Sequence, residues 1–106
     1  MIRDILKTLT KREENVLRLY FGIDVKRTTL AEIGQDLDKT SNTVRKIKKK
    51  GIYKVINRVT NIEHFNSLSS QIDKDLIERC IKERKSKLLD EFMVNLLQSR
   101  DVSTKI

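Results

Sequence analysis

The chain has no proline and only three glycines in 106 residues, so few positions force a break or a tight turn. Turn-rich sandwiches and barrels are thereby excluded, and the abundance of Leu, Ile, Lys and Glu predicts an all-α protein. Cys80 and His64 are each the sole residue of their kind, and neither has a patterned ligand or nucleophile partner. No catalytic residue, metal site or cofactor is therefore expected. Cys80 falls on the apolar stripe of a later helix and is expected to be an inert core thiol, with a redox or pairing role as the alternative. His64, between Glu63 and Phe65, is expected to be an ordinary surface or half-buried side chain. No apolar run approaches the roughly 20 residues that cross a bilayer. The start, MIRDILKTLT, also lacks the apolar centre of a secretion signal. A cytoplasmic protein with no membrane partner is expected, with one modest core for its length.

What is abundant is positive charge, and it is unevenly placed. Residues 1–59 hold 15 Lys and Arg against 7 Asp and Glu, whereas residues 60–106 hold 8 of each, so the formal +8 belongs to the first part. Within it, residues 41–58 hold seven positive charges and no acidic one. An ordinary exposed helix gains from neighbours of opposite sign, so this run points to a polyanionic partner.

The helical spacing of Ile2, Ile5, Leu6 and Leu9 predicts a short opening helix that stops near Thr8. Thr10 with Glu13 fits a capping box, and the helix it starts buries Val16, Leu17, Tyr20 and Phe21 before Gly22. Thr29 with Glu32 fits a second box, opening a short helix lined by Leu30, Ile33, Gly34 and Leu37, where Gly34 would admit a neighbouring helix backbone. After a turn at 38–40, a third helix begins near Ser41 and runs to about Val59. Its inner face carries Val44, Ile47, Gly51, Ile52 and Val55. Asn42, Arg45, Lys46, Lys49, Lys50 and Tyr53 fall on the opposite side. A helix-turn-helix whose second helix is apolar on one face and basic on the other suits insertion into a DNA major groove.

LTKREENVLRLYFGID followed by TLAEIGQDLDKTSNTVRKIKKKGIYKVI resembles region four of the bacterial primary-type sigma factors over about residues 2–56. The likeness is carried by Leu9, Thr10, Arg12 and Glu13, by Phe21, Gly22, Ile23 and Asp24, by Thr29, Leu30, Glu32, Ile33 and Gly34, and by Arg45, Ile47 and Lys50. It implies a bacterial or phage protein of the winged-helix-like superfamily that reads promoter DNA. Base-reading positions map to Ser41, Asn42, Arg45 and Lys46, and phosphate positions to Arg12 and Thr29, with Lys49 and Lys50 as further phosphate candidates. The family usually has Arg, Glu and Gln where this chain has Ser41, Asn42 and Lys46, so a different preferred sequence is expected. Three more departures are Tyr20 in place of Arg, Lys39 in place of an apolar turn residue, and Lys48 in place of Glu. Together they suggest a less tightly packed turn and stronger, less selective attraction to phosphates.

The resemblance also implies docking on the flap of the RNA polymerase beta subunit, to which Leu6, Leu19 and Phe21 would contribute if they are not simply core. The aromatic-rich region with which such factors melt promoters has no counterpart here, so the chain is either part of a larger protein or a free-standing regulator. The expected organisation is a DNA-binding domain over 1–59, of three to four helices, and a long helical extension over 60–106. In the extension, Thr60 and Glu63 would cap a short helix carrying Ile62, Phe65 and Leu68, and Ser70 with Asp73 would open a long one. Its stripe of Ile72, Leu76, Ile77, Cys80, Ile81, Leu88, Leu89, Phe92, Met93, Leu96 and Leu97, interrupted by a polar stretch at 83–87, needs cover, either by folding back on the first domain or by a homodimer through residues 70–100. Pairing is the favoured expectation, because a helix of about 30 residues would be roughly 45 Å long and reach beyond a small module. The functional expectation is a sequence-selective DNA-binding transcription regulator that is not an enzyme. The alternative is an adaptor that binds RNA polymerase or an anti-sigma-like partner.

Overall fold

Each early helix boundary is set by a side chain that the chain supplies locally. In a computed structural model of the protein, which describes residues 2–61 and 74–104, helix α1 spans Ile2–Leu6. The Thr8 hydroxyl and N–H then both donate to the Ile5 carbonyl, at 2.6 and 3.0 Å, and end it. Helix α2, Lys11–Phe21, starts with the expected capping box: the Thr10 hydroxyl accepts from the Glu13 N–H and the Glu13 carboxylate accepts from the Thr10 N–H. It stops at Gly22, whose φ of 68° is a left-handed conformation that glycine adopts without strain.

Helix α3 is Leu30–Leu37, capped by the Thr29 hydroxyl, which accepts from the Glu32 N–H. The second box is incomplete, because the Glu32 carboxylate accepts from the Thr29 hydroxyl itself, at 2.9 Å, and not from the Thr29 N–H. Gly34 also serves a different purpose from the expected one. A Cβ there would stand 2.5 Å from the Lys39 carbonyl oxygen, so the glycine makes room for the chain's own turn. That turn passes through Asp38, at φ 57°, and is closed by the Lys39 N–H donating to the Gly34 carbonyl at 2.7 Å. Helix α4, Ser41–Thr60, follows with Thr40 as its cap.

Helices α5, Lys74–Glu83, and α6, Ser86–Thr104, replace the single long helix expected of the extension. The break falls in the polar stretch at 83–87, where Arg84 takes φ 57° and its N–H donates to the Cys80 carbonyl at 3.0 Å. Two short helices at an angle can wrap a small module where one long rod cannot. Most of the stripe therefore folds back: Leu76, Ile77, Cys80, Leu88, Leu89, Phe92, Met93 and Leu96 share one core with Ile2, Ile5 and Leu6 of α1 and Ile52, Val55, Ile56 and Val59 of α4, and Leu97 packs partly against it. Ile81 departs from the expectation, at 56% exposed, and Ile72 lies outside the described residues. The reason for expecting a homodimer through residues 70–100 was an uncovered stripe, and this intrachain packing removes it. Burying a side chain of this size is worth about 1.5–3 kcal/mol relative to leaving it in water, so the extension is a large part of what stabilises the chain.

A smaller core of Val16, Ile33 and Val44, flanked by Leu19, Tyr20, Leu30, Leu37 and Ile47, holds α2, α3 and the first half of α4 together. Helix α4 is thus a shared beam, its N-terminal half in the helix-turn-helix core and its C-terminal half in the larger one. Cys80 is fully buried, and that burial, with Glu91 adding to it, pushes its thiol pKa up. Among the described residues no helix is long and apolar enough to cross a membrane. His64 and the helix expected around Ile62, Phe65 and Leu68 lie outside the described residues, as do Ser70 and Asp73.

Candidate nucleic-acid interface

Helix α4 presents its outer face because its inner face is taken on two sides, by α2 and α3 near its start and by α1, α5 and α6 further along. Ser41, Asn42, Arg45 and Lys46, the four base-reading candidates, are all exposed. Asn42 accepts a 3.4 Å hydrogen bond from the Arg45 guanidinium one turn on, so two of them are mutually oriented. Lys50 is exposed and Lys49 half-buried on the same face. Arg12, in the first turn of α2, and Thr29, the cap of α3, are exposed as well.

The seven cations of residues 41–58 are not equivalent. Lys54 donates to the Glu13 carboxylate at 2.9 Å, and the Arg58 guanidinium donates to the Thr8 hydroxyl at 3.1 Å. Burial pushes the Glu13 carboxyl up, but the bonds from Lys54 and Thr10 outweigh it and hold the group below its ordinary value. Lys48 is 3% exposed, with its ammonium 3.0 Å from the Asp90 carboxylate of α6 and 4.1 Å from the centre of the Tyr20 ring. The remaining four, Arg45, Lys46, Lys49 and Lys50, have no ion pair among the described residues. The basic outer face consists of these four.

The expectation that Lys48 adds to phosphate attraction is therefore corrected. It lies beneath α6, out of reach of a duplex, because the apolar stripe of the extension carries Asp90 onto it. The two departures at positions 20 and 48 face one another. An Arg opposite a Glu would pair within the module, whereas a Tyr opposite a Lys leaves a cation to be neutralised, and α6 provides the carboxylate. Tyr20 also donates to Asp90 at 3.4 Å. Asp90 was missed in the sequence because nothing local marks it; its partner is 42 residues away. Of the flap candidates, Leu6 is fully buried and so is core, while Leu19 and Phe21 are half-buried.

A short helix and a longer one joined by a three-residue turn, the second with a bare cationic face, define a helix-turn-helix protein. Residues 5–55 match the family described as Sigma-70, region 4. The family comprises non-enzymatic helix-turn-helix domains of sigma factors, which bind promoter DNA and the flap of the RNA polymerase beta subunit. Similar proteins include the RNA polymerase sigma factor SigA of a Bacillus species and that of Listeria monocytogenes, each 49% identical over 55 residues. The matched stretch is 51% of this chain and 15% of either relative, so the chain spans a small part of their length. No solved structure matches the chain.

Proposed function

We propose that the protein is a sequence-selective DNA-binding transcription regulator in which α4 enters the major groove. Residues 1–59 form the DNA-binding unit and residues 60–106 an extension, of which α5 and α6 brace that unit. Ser41, Asn42, Arg45 and Lys46 read base edges, with Asn suited to adenine and Arg or Lys to guanine. Lys49, Lys50, Arg12 and Thr29 hold phosphates and set the register. The observation that carries this reading is the outer face of α4, where four cations stand with no ion pair among the described residues on a helix whose other sides are packed.

Selection of duplexes from a random pool tests it, followed by affinity measurement on the enriched sequence. An enriched motif is expected, together with a loss of at least about fivefold in affinity for each of Arg45→Ala and Lys46→Ala, since a good base contact is worth about 1–3 kcal/mol. Failure to enrich any sequence, or affinity untouched by both substitutions, overturns the reading. The adaptor alternative, in which the chain captures RNA polymerase or an anti-sigma-like partner, has less support, because Leu6 is core and Phe21 packs against that same core. Under that alternative, partner capture would survive the double substitution.

A further inference from the structure

The charge balance of residues 60–106 conceals a local excess. The turn between α5 and α6 carries Arg84, Lys85 and Lys87, all exposed, and the fold sets it beside the outer face of α4. Two contacts fix it there. The Arg84 guanidinium lies 5.1 Å from the centre of the Tyr53 ring, and the Tyr53 hydroxyl donates to the Cys80 carbonyl at 3.5 Å. Ser86 and Lys87 then line one groove of about 700 Å³ together with Arg45 and Lys48. Arg45, Lys49 and Tyr53 are spaced four apart and so form a single stripe along α4. The turn runs alongside this stripe, with Lys87 toward Arg45 and Arg84 over Tyr53.

Arg45 and Lys87 thus share one groove and Arg84 covers Tyr53, with Lys49 on the same stripe of α4 and Lys85 in the same turn. The acidic groups facing them are few. Asp90 is committed to Lys48. Glu91 lines the groove, and Glu83 approaches Lys85 at 3.4 Å, in an exposed pair of the kind worth little in water. Like charges brought together by a fold, with Glu83 and Glu91 set against them among the described residues, repel unless a polyanion lies across them. We infer that the α5–α6 turn is a second DNA-contacting element, in which Lys85 and Lys87 grip the phosphate strand bordering the groove that α4 enters. This rests on the reading of α4 given above and extends the contact surface beyond the region-four segment.

The test measures binding of the full chain to its enriched duplex across a range of salt concentrations. Each lost phosphate contact lowers the slope of log affinity against log salt by about 0.9, so Lys85→Ala with Lys87→Ala is expected to flatten it by roughly 2 while the preferred base sequence stays the same. Both side chains are exposed, and an unchanged circular dichroism melt checks that the fold is kept. A hydroxyl-radical reagent tethered at Lys87→Cys is expected to cut the duplex at one edge of the motif, the native Cys80 being buried. An unchanged slope, or no cutting from position 87, overturns the inference even where Arg45→Ala still abolishes binding and the reading of α4 survives. If the native chain binds no duplex, that reading fails and the turn's role fails with it.

Discussion

The Lys48 ammonium of α4 and the Asp90 carboxylate of α6 meet at 3.0 Å, with the Lys48 side chain 4% exposed and that of Asp90 30%. The pair ties the extension to the recognition helix at the level of Tyr20, whose ring covers the same ammonium. Removing one partner of a fully buried pair costs roughly 3–5 kcal/mol because a charge is stranded. Water reaches Asp90 in part, so Asp90→Ala is expected to lower stability by about 2 kcal/mol in urea denaturation. A change below about 0.5 kcal/mol would mean that the ring and solvent suffice for Lys48.

The facing departures at positions 20 and 48 make a second expectation. Lys48→Glu alone sets a second carboxylate against Asp90 and should destabilise the chain more than Asp90→Ala does. Adding Tyr20→Arg supplies a cation between the two carboxylates and should restore at least half of the loss. In a double-mutant cycle the coupling between positions 20 and 48 is expected to exceed about 1 kcal/mol in the favourable direction. Additive behaviour would show that the two sites do not sense each other.

Asp24 gives the fold a defined acid dependence. The Arg3 guanidinium donates to both its oxygens, at 2.8 and 2.6 Å, and Arg18 adds a third bond at 3.2 Å, joining α1, α2 and the loop after Gly22. These bonds, that from Arg3 foremost, bring its pKa from 3.8 to about 2. Because the folded value lies below the unfolded one, the unfolded chain binds more protons between them, and stability falls as pH falls. The contribution is present in full above the unfolded value and lost on acidification through about 2. Asp24→Asn retains a residue tolerant of the left-handed φ of 63°. It should melt below the native chain at pH 7 and converge with it near pH 2. A constant difference across that range would assign the effect to something other than charge.

Local rules made much of the fold legible. Thr10 with Glu13, Thr29 and the turn after Leu37 each act through neighbours a few residues away, and the apolar period of α4 placed Asn42, Arg45 and Lys46 outward. Long-range relationships were not legible. The α5–α6 break has neither glycine nor proline, and Arg84 adopts a left-handed φ because the core draws α6 back over α4. The helical period sets Lys48 between Val44 and Ile52, apart from Lys49 and Lys50, but the carboxylate that takes up its charge lies in another helix and has no local signal. A count of charges therefore overstated the basic face of α4 and overlooked the turn beside it.

Gly34 sets two effects of opposite sign against each other. On propensity alone, Gly34→Ala inside α3 would stabilise the helix by about 1 kcal/mol. The added Cβ, however, would stand 2.5 Å from the Lys39 carbonyl oxygen, an atom held by the backbone of the turn, so it cannot swing aside as a side-chain end would. Overpacking of this kind costs typically 1–3 kcal/mol, and here the strain falls on the turn that sets α3 against α4. The steric term should win. Gly34→Ala is expected to be destabilised by up to about 2 kcal/mol in denaturant titration. Its affinity for duplex DNA should fall further than the folded fraction explains, since the cap of α3 and the outer face of α4 would no longer be held in one register. A variant more stable than the native chain would show that the turn opens without resistance, and the angle between the two helices would then have to be set by Val16, Ile33 and Val44 alone.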